Sequence, residues 1–132
     1  MKEIAVVTGA SSGIGAATVR ALAKSGYQVI AAARRTALLE NLARENSAIT
    51  AIELDVTNQV SVDSFTNNLK GKPVSILVNN AGGAFDGDSV LDSDPEIWQK
   101  TYDVNVVGAV RMTKAITPIM KEFGKGHIVI IS

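Results

Sequence analysis

The sequence contains no cysteine and few aromatic residues, and it has no excess of charge of either sign. Without cysteine the chain forms no disulfide and offers no thiolate to a metal or to nucleophilic catalysis, so we predict no metal centre. Its 13 Lys and Arg residues balance 13 Asp and Glu residues and are scattered, so neither a nucleic-acid-binding stripe nor a membrane-binding basic segment is predicted. Its apolar runs are too short for a membrane span or a signal peptide. We therefore expect a soluble cytoplasmic protein.

Short apolar runs alternate with segments of helical periodicity along the whole chain. The predicted strands are 4–7, 28–33, 49–54, 74–78 and 127–131. Helical segments are predicted over 13–25, 37–46 and 58–70, then from 94 through Val106, and finally over 110–123 as a further helix. Such alternation predicts one α/β domain, residues 1–132, with a parallel sheet between two helical layers. The first run is apolar throughout, which predicts a central strand.

Some residues within these elements are assigned structural positions. Trp98 and Tyr102 fall at helical spacing, which predicts that they belong to the core. Asp94 precedes Pro95 and is predicted to cap the helix there. His127 is predicted to be a surface side chain. The last strand runs to the end of the sequence with no segment to cover it, so we expect a truncated domain rather than a complete one.

A glycine-rich segment, residues 8–15 with the sequence TGASSGIG, connects the first strand to the first helix. Gly9 permits a tight turn, Gly13 lets backbone approach a pyrophosphate, and Gly15 lets the helix pack closely. The helix N-terminus adds free N–H groups for an anion, and Ser11 and Ser12 add hydroxyls. The segment therefore predicts a phosphate-binding turn, with an ordinary glycine-rich turn as the alternative.

Four motifs in the same order along the chain resemble those of the classical short-chain dehydrogenase/reductase family. They are the TGASSGIG segment, the pair Asp55-Val56 after the third strand, the NNAG segment at 79–82, and Asn105 before the last strand. The resemblance implies a Rossmann-type, three-layer doubly wound sheet with strand order 3-2-1-4-5. It also implies hydride transfer between a nicotinamide cofactor and an alcohol or carbonyl substrate, with Asn105 catalytic, in a full-length protein that forms dimers or tetramers. The implied cofactor-binding residues are Gly9, Ser11, Ser12, Gly13, Ile14, Gly15, Arg34, Arg35, Asp55, Val56, Asn80, Ala81 and Gly82.

The end of the second strand indicates which dinucleotide is preferred. An acidic residue there accepts the ribose hydroxyls of NAD, whereas a guanidinium binds the extra phosphate of NADP. Ala33 occupies the acidic position of NAD-selective relatives, and Arg34 and Arg35 follow it. The resemblance therefore implies NADP(H) rather than NAD, with Arg34 favoured over Arg35. The alternative is that both arginines are simply solvated at the start of the next helix.

The remaining motif residues also have structural alternatives. Asp55 is expected to accept from the adenine amino group with Val56 completing the pocket, but it is also suited to cap the following helix. Asn79 and Asn80 are suited to an ordinary turn. Asn105 is a poor helix former within a helical pattern, so a water or backbone partner is expected to compensate.

The sequence departs from the family at its catalytic serine, tyrosine and lysine. Tyr27 and Tyr102 are its tyrosines, and neither has a lysine four residues later. The family's serine pattern falls one residue beyond Ser132, or on Ser132 if the register shifts by one. We therefore predict an NADP-dependent alcohol/carbonyl oxidoreductase of which this chain alone is inactive. The alternative is a non-catalytic dinucleotide-binding or structural fragment. A flavodoxin-like or receiver-type domain is disfavoured. A receiver domain needs several acidic residues clustered at strand ends, and only Asp55 lies at such a position here. The loop 82–93 is expected to form one wall of a substrate pocket.

Overall fold

The computed structural model describes residues 2–11, 13–82 and 91–131, and strands and helices alternate along them. The strands are β1 (Ile4–Thr8), β2 (Gln28–Ala33), β3 (Ile49–Glu53), β4 (Val74–Asn79) and β5 (His127–Ile130). The α-helices are α1 (Gly13–Lys24), α2 (Thr36–Glu45), α3 (Gln59–Asn67), α4 (Pro95–Tyr102) and α5 (Gly108–Phe123). The strands are all parallel and form one sheet in the order β3-β2-β1-β4-β5, which confirms the predicted fold class.

Helices cover both faces of this sheet, because successive strand residues point to opposite sides. On one face, α1 and α2 pack Val19 and Leu39 against Val7 and its neighbours. On the other, α3 and α5 pack Phe65 and Ile116 against residues that include Leu77. The central strand β1 is buried on both faces, as its continuous apolar run predicted.

The segment after residue 94 differs from the prediction of two separate helices. Asp94 caps α4, since its side chain accepts from the N–H of Glu96 at 2.9 Å. A five-residue π-helical segment, Asp103–Val107, then joins α4 directly to α5. Within it the N–H of Gly108 donates to the carbonyl of Asp103, which is the i→i−5 pattern of a π-helix.

The predicted core positions of Trp98 and Tyr102 are wrong. Their exposed fractions are 56% and 58%, respectively. The indole N–H of Trp98 donates to the Ser93 hydroxyl at 2.7 Å. The helical spacing of these residues marks a stripe on α4, but in the described part of the chain that stripe is more exposed than covered. His127 is exposed, as predicted.

Other element boundaries lie within a few residues of those predicted. Helix α3 ends at Asn67, and the chain turns over the next residues where a longer helix was expected. None of the helices in the described ranges is both long and apolar enough to span a bilayer.

Candidate functional site

A cleft of about 460 Å³ lies at the carboxyl edge of the sheet. In open α/β sheets, ligands bind in the crevice at this edge. The predicted site residues that line it are Gly9, Ser11, Ile14, Arg34, Arg35, Asp55, Val56, Asn80, Ala81 and Gly82. Ser12, Ser132 and loop residues 83–90 fall outside the described residues. The fold thus brings together residues from four separate stretches of the chain.

The three glycines of the turn meet different constraints. Gly9 and Gly13 both have φ near +60°, a conformation that side chains with a Cβ rarely adopt. A Cβ on Gly9 would lie 2.8 Å from the Ala81 Cα, so that glycine is also required by close packing. A Cβ on Gly13 would meet nothing within 4 Å, so its surroundings are open where α1 begins.

Gly15 allows the first turn of α1 to approach the backbone at the end of β1. A Cβ at this position would lie 2.2 Å from the Gly9 carbonyl oxygen and 2.6 Å from Asn80 Nδ2. The predicted close packing of the helix is therefore against the turn itself and the β4 end, which together hold the N-terminus of α1 at the cleft.

Thr8, which was not among the predicted site residues, joins the ends of β1 and β4. Its hydroxyl accepts from the backbone N–H groups of Asn80 at 3.0 Å and Ala81 at 2.9 Å. The Asn80 side chain donates in return to the Gly9 carbonyl at 3.1 Å. Thr8 is 1% exposed and lines the cleft, so its hydroxyl fixes the cleft floor. Its position as the first residue of the glycine-rich motif was the available signal.

Asn79 and Asn80 have separate roles. Asn79 is buried, and its amide donates to the Thr113 hydroxyl of α5 at 3.2 Å. Asn80 lies in the cleft wall and bonds to the glycine turn. Neither forms only a local turn, because both make contacts with residues distant in sequence.

Asp55 begins the turn that leads from β3 to α3. Its Oδ1 accepts from the Thr57 backbone N–H at 2.9 Å and from the Thr57 hydroxyl at 2.6 Å. Asn58, rather than Asp55, caps α3, since its side chain accepts from the N–H of Ser61. Asp55 therefore makes a local turn bond while also lining the cleft.

The pKa of Asp55 is lowered from its ordinary value by these surroundings. Partial burial acts to raise this pKa, but it is outweighed by the two hydrogen bonds from Thr57 and by the positive charges of Arg34 and Arg111. The carboxylate is therefore ionised at neutral pH and can accept a hydrogen bond from a ligand donor in the cleft.

Arg34 and Arg35 follow the buried end of β2 and are both exposed. They line the cleft next to Ala33, so the end of β2 carries no carboxylate that could bind ribose hydroxyls. Arg34 and Asp55 line the same cleft, and the positive charge of Arg34 helps to lower the pKa of the Asp55 carboxyl. This end therefore combines a carboxylate acceptor with cationic donors.

Asn105 lies in the middle of the π-helical segment. Its Nδ2 donates to the carbonyl of Thr101 at 2.8 Å, which is the backbone partner expected for an asparagine at a helical position. A Cβ on Gly82 would lie 2.1 Å from Asn105 Oδ1, so this glycine admits the side chain to the end of the NNAG segment. Val104, next to it, lines the cleft.

Known proteins show the same sequence pattern and fold. The family model described as short chain dehydrogenase matches residues 3–132. An uncharacterized oxidoreductase of Mycobacterium tuberculosis is 45% identical over 131 residues, covering 99% of this chain and 51% of that protein. An NADP-dependent 3-hydroxy acid dehydrogenase of Salmonella typhi is 35% identical over 130 residues, covering 96% of this chain and 52% of that protein.

A solved structure gives the corresponding result for the fold. The closed form of serine dehydrogenase complexed with NADP+ superposes with a TM-score of 0.91 at 35% identity, covering 98% of this chain and 53% of that one. The chain spans about half the length of these relatives. Since the family match extends over residues 3–132, this chain belongs to the short chain dehydrogenase family.

Proposed function

We propose that this chain provides the NADP(H)-binding site of a cytoplasmic oxidoreductase that interconverts an alcohol and a carbonyl by hydride transfer. The observation that carries the proposal is the placement of Arg34 and Arg35 in the same cleft as the glycine turn, with Ala33 where an acidic residue would select NAD. Two similar proteins support this cofactor, because one is named NADP-dependent and the structure of the other is complexed with NADP+.

The residues of the cleft fit such a cofactor. Gly13 has open space around it at the N-terminus of a 12-residue helix that carries no acidic residue in its first turn. The free N–H groups at the start of this helix and the helix dipole suit a pyrophosphate. Ser11, Ser12 and Ile14, which neighbour Gly13 in the sequence, would add contacts to it. The guanidinium of Arg34, assisted by Arg35, suits the phosphate on the adenosine ribose.

The other cleft residues would hold the rest of the dinucleotide. Asp55 would accept from the adenine amino group, with Val56 beside it. Asn80, Ala81 and Gly82 would border the nucleoside on the opposite side. When bound, the nicotinamide donates or accepts the hydride. Asn105, whose side chain lies close to Gly82, would act at the reacting end.

The catalytic serine, tyrosine and lysine of the family are not supplied by the motifs of this chain. We therefore propose that the 132-residue polypeptide, assayed alone, binds NADPH but does not turn over. A dimer or tetramer is proposed for the full-length enzyme, and a small alcohol or carbonyl compound is proposed as its substrate. Turnover by the isolated polypeptide would contradict the proposal that it is inactive alone.

The decisive experiment compares NADPH and NADH binding to wild type and to Arg34→Asp, for instance by fluorescence titration. We expect the substitution to weaken NADPH binding by at least about ten-fold, because a charge-assisted hydrogen bond to phosphate is replaced by repulsion. NADH binding should change by no more than about three-fold. Arg44→Asp makes the same charge change on an exposed α2 residue outside the cleft, and both affinities should be unchanged.

Two results would contradict the proposal in different ways. An equal loss of NADPH and NADH affinity in Arg34→Asp would show that Arg34 does not bind the extra phosphate. Wild-type protein that binds neither dinucleotide would show that the cleft is not a cofactor site and would favour a structural fragment.

A further inference from the structure

Arg111, on α5, contacts the back of the turn that carries Asp55 and Val56. One of its guanidinium nitrogens, Nη1, donates to the Val56 carbonyl at 3.1 Å and to Asp103 Oδ1 at 3.0 Å. Asp103 is the first residue of the π-helical segment, so the ion pair spans that segment from one end to the start of α5. The arginine therefore connects the helix to the turn without entering the cleft lining.

The peptide unit between Val56 and Thr57 is held at both of its polar ends. Arg111 donates to the carbonyl of this unit, and its N–H, on Thr57, donates to the Asp55 carboxylate at 2.9 Å. Hydrogen bonds in such a chain polarise and orient one another. The guanidinium thus fixes a peptide that in turn fixes the direction of the Asp55 carboxylate.

Packing against the same turn leaves α5 little freedom to move relative to Val56. Gly108 is buried, and a Cβ on it would lie 2.7 Å from Val56 Cγ2. The arginine is itself only partly exposed, with 23% of its side chain accessible. The nearby positive charge of Arg111 also contributes to the lowered pKa of Asp55.

We propose that Arg111 is a positioning residue for adenine recognition: it holds the Val56–Thr57 peptide, and through it the Asp55 carboxylate, in the orientation that accepts the 6-amino group of adenine. This inference rests on the proposed function, because it requires the dinucleotide to lie in the cleft with adenine at Asp55. Its consequence is that a helix residue outside the cleft determines how strongly the protein distinguishes adenine from a base that lacks the amino group.

The test uses the full-length protein and two probes, NADPH and its hypoxanthine analogue, in which an oxo group replaces the 6-amino group. Wild type should bind NADPH about ten-fold more tightly than the analogue, the value of one hydrogen bond to a charged acceptor. In Arg111→Met this preference should fall to about two-fold or less, mainly through weaker NADPH binding. Arg111→Lys, which keeps the charge and donors, should recover part of the preference.

Lys114→Met is the matched control, because Lys114 is an exposed cation on the same helix and no hydrogen bond joins it to the turn in the described part of the chain. It should keep the wild-type preference. If Arg111→Met does not fold, Arg111→Gln replaces it, and the same fall in preference is expected.

Each alternative result has a distinct meaning. A lower melting temperature with an unchanged preference would show a purely structural role and overturn the inference. An equal loss of affinity for both probes would also overturn it. If wild type bound neither probe, the result would instead contradict the proposed function itself. If wild type bound both probes with equal affinity, the result would contradict both adenine recognition by Asp55 and the positioning role of Arg111.

Discussion

At the scale of single residues, the glycine turn shows that one residue type serves different physical needs. Gly9 is required both by its positive φ and by its close approach to Ala81, and Gly15 is required by space alone. Gly13 has a positive φ in open surroundings. The motif predicted that these positions are glycine for a phosphate-binding turn, but only the geometry separates the three reasons.

Because Gly13 has open surroundings, Gly13→Val is a selective test of the phosphate-binding turn. Gly26 also has a positive φ and open surroundings, so Gly26→Val carries the same kind of backbone strain at the other end of α1. Both variants should lose about 1–2 kcal/mol of stability from the left-handed conformation. Only Gly13→Val should abolish NADPH binding, because its side chain would occupy the approach to the helix N-terminus. Calorimetric titration of both variants with NADPH checks this. An unchanged NADPH affinity in Gly13→Val would contradict the assignment of the phosphate-binding turn.

Of the two roles considered for Asp55, capping of the next helix belongs to Asn58 instead. The sequence suits Asp55 both to adenine recognition and to that cap, and the two roles are not exclusive. The structure assigns the cap to Asn58 and gives Asp55 a turn bond to Thr57 that leaves it in the cleft lining. Sequence spacing did not separate Asp55 from Asn58, because both precede α3 by a few residues and both have capping side chains.

At the scale of elements, the strands were predictable because parallel strands are buried on both faces and therefore have continuous apolar sequences. The β2 run ends in three buried alanines, so its boundary and the cleft position of Arg34 follow from the sequence. Helices α1 and α2 were predictable from their helical periodicity, because the apolar face of each packs against the sheet.

The α4 and α5 region was less predictable. Periodicity shows that Trp98 and Tyr102 share a face, but it does not show whether anything covers that face. The π-helical segment depends on one extra residue per turn, which no local composition signals. The contact between Arg111 and Val56 joins residues 55 positions apart, so it follows from tertiary packing rather than from any motif.

Helix α5 allows a direct test of which of its faces stabilises the fold. Ile116 is fully buried against the sheet, whereas Val110 is 51% exposed on the same helix. Ile116→Ala should lower the free energy of unfolding by about 2–5 kcal/mol, because it removes buried methyl groups and leaves a cavity. Val110→Ala should change it by about 0.5 kcal/mol or less. Urea denaturation of the two variants makes the comparison, and equal losses would contradict the assigned orientation of α5.

At the scale of the whole molecule, the cleft exists only because strand order brings distant segments to one edge of the sheet. The ends of β1 and β4 are joined through Thr8 and Asn80, although these residues are 72 positions apart. The predicted order of strands was sufficient to place the glycine-rich segment, the Asp55-Val56 pair and the NNAG segment at one edge. The bonds that fix their relative orientation, through Thr8 and Arg111, needed the structure.

The pH dependence of folding is also a property of the whole molecule, and its sign follows from the shifted groups. The pKa values of Asp55 and Glu45 are lowered, the latter by its hydrogen bond and ion pair with Arg20, so both carboxylates stabilise the fold when ionised. Their contributions are present above their ordinary pKa values and are lost as pH falls through the lowered ones. The pKa of Lys125 is raised by Glu3, so its contribution is present below its ordinary pKa and is lost as pH rises through the raised one. Stability should therefore be greatest between the acidic and the strongly basic ranges.

Asp55→Asn isolates the contribution of one of these groups. The amide oxygen still accepts from Thr57, so the variant removes the charge that faces Arg34 and Arg111 while keeping the turn. We expect wild type to be more stable by about 1 kcal/mol at neutral pH, the typical value of a charge-assisted hydrogen bond relative to a neutral one. The difference should shrink as pH falls below about 4, where the carboxyl is protonated in the unfolded chain and then in the folded one. Glu45→Gln is the control, since its ion pair with Arg20 is exposed and should contribute little at physiological salt. Urea denaturation across this pH range measures both variants, and a difference for Asp55→Asn that stays constant with pH would show that the carboxylate charge does not stabilise the turn.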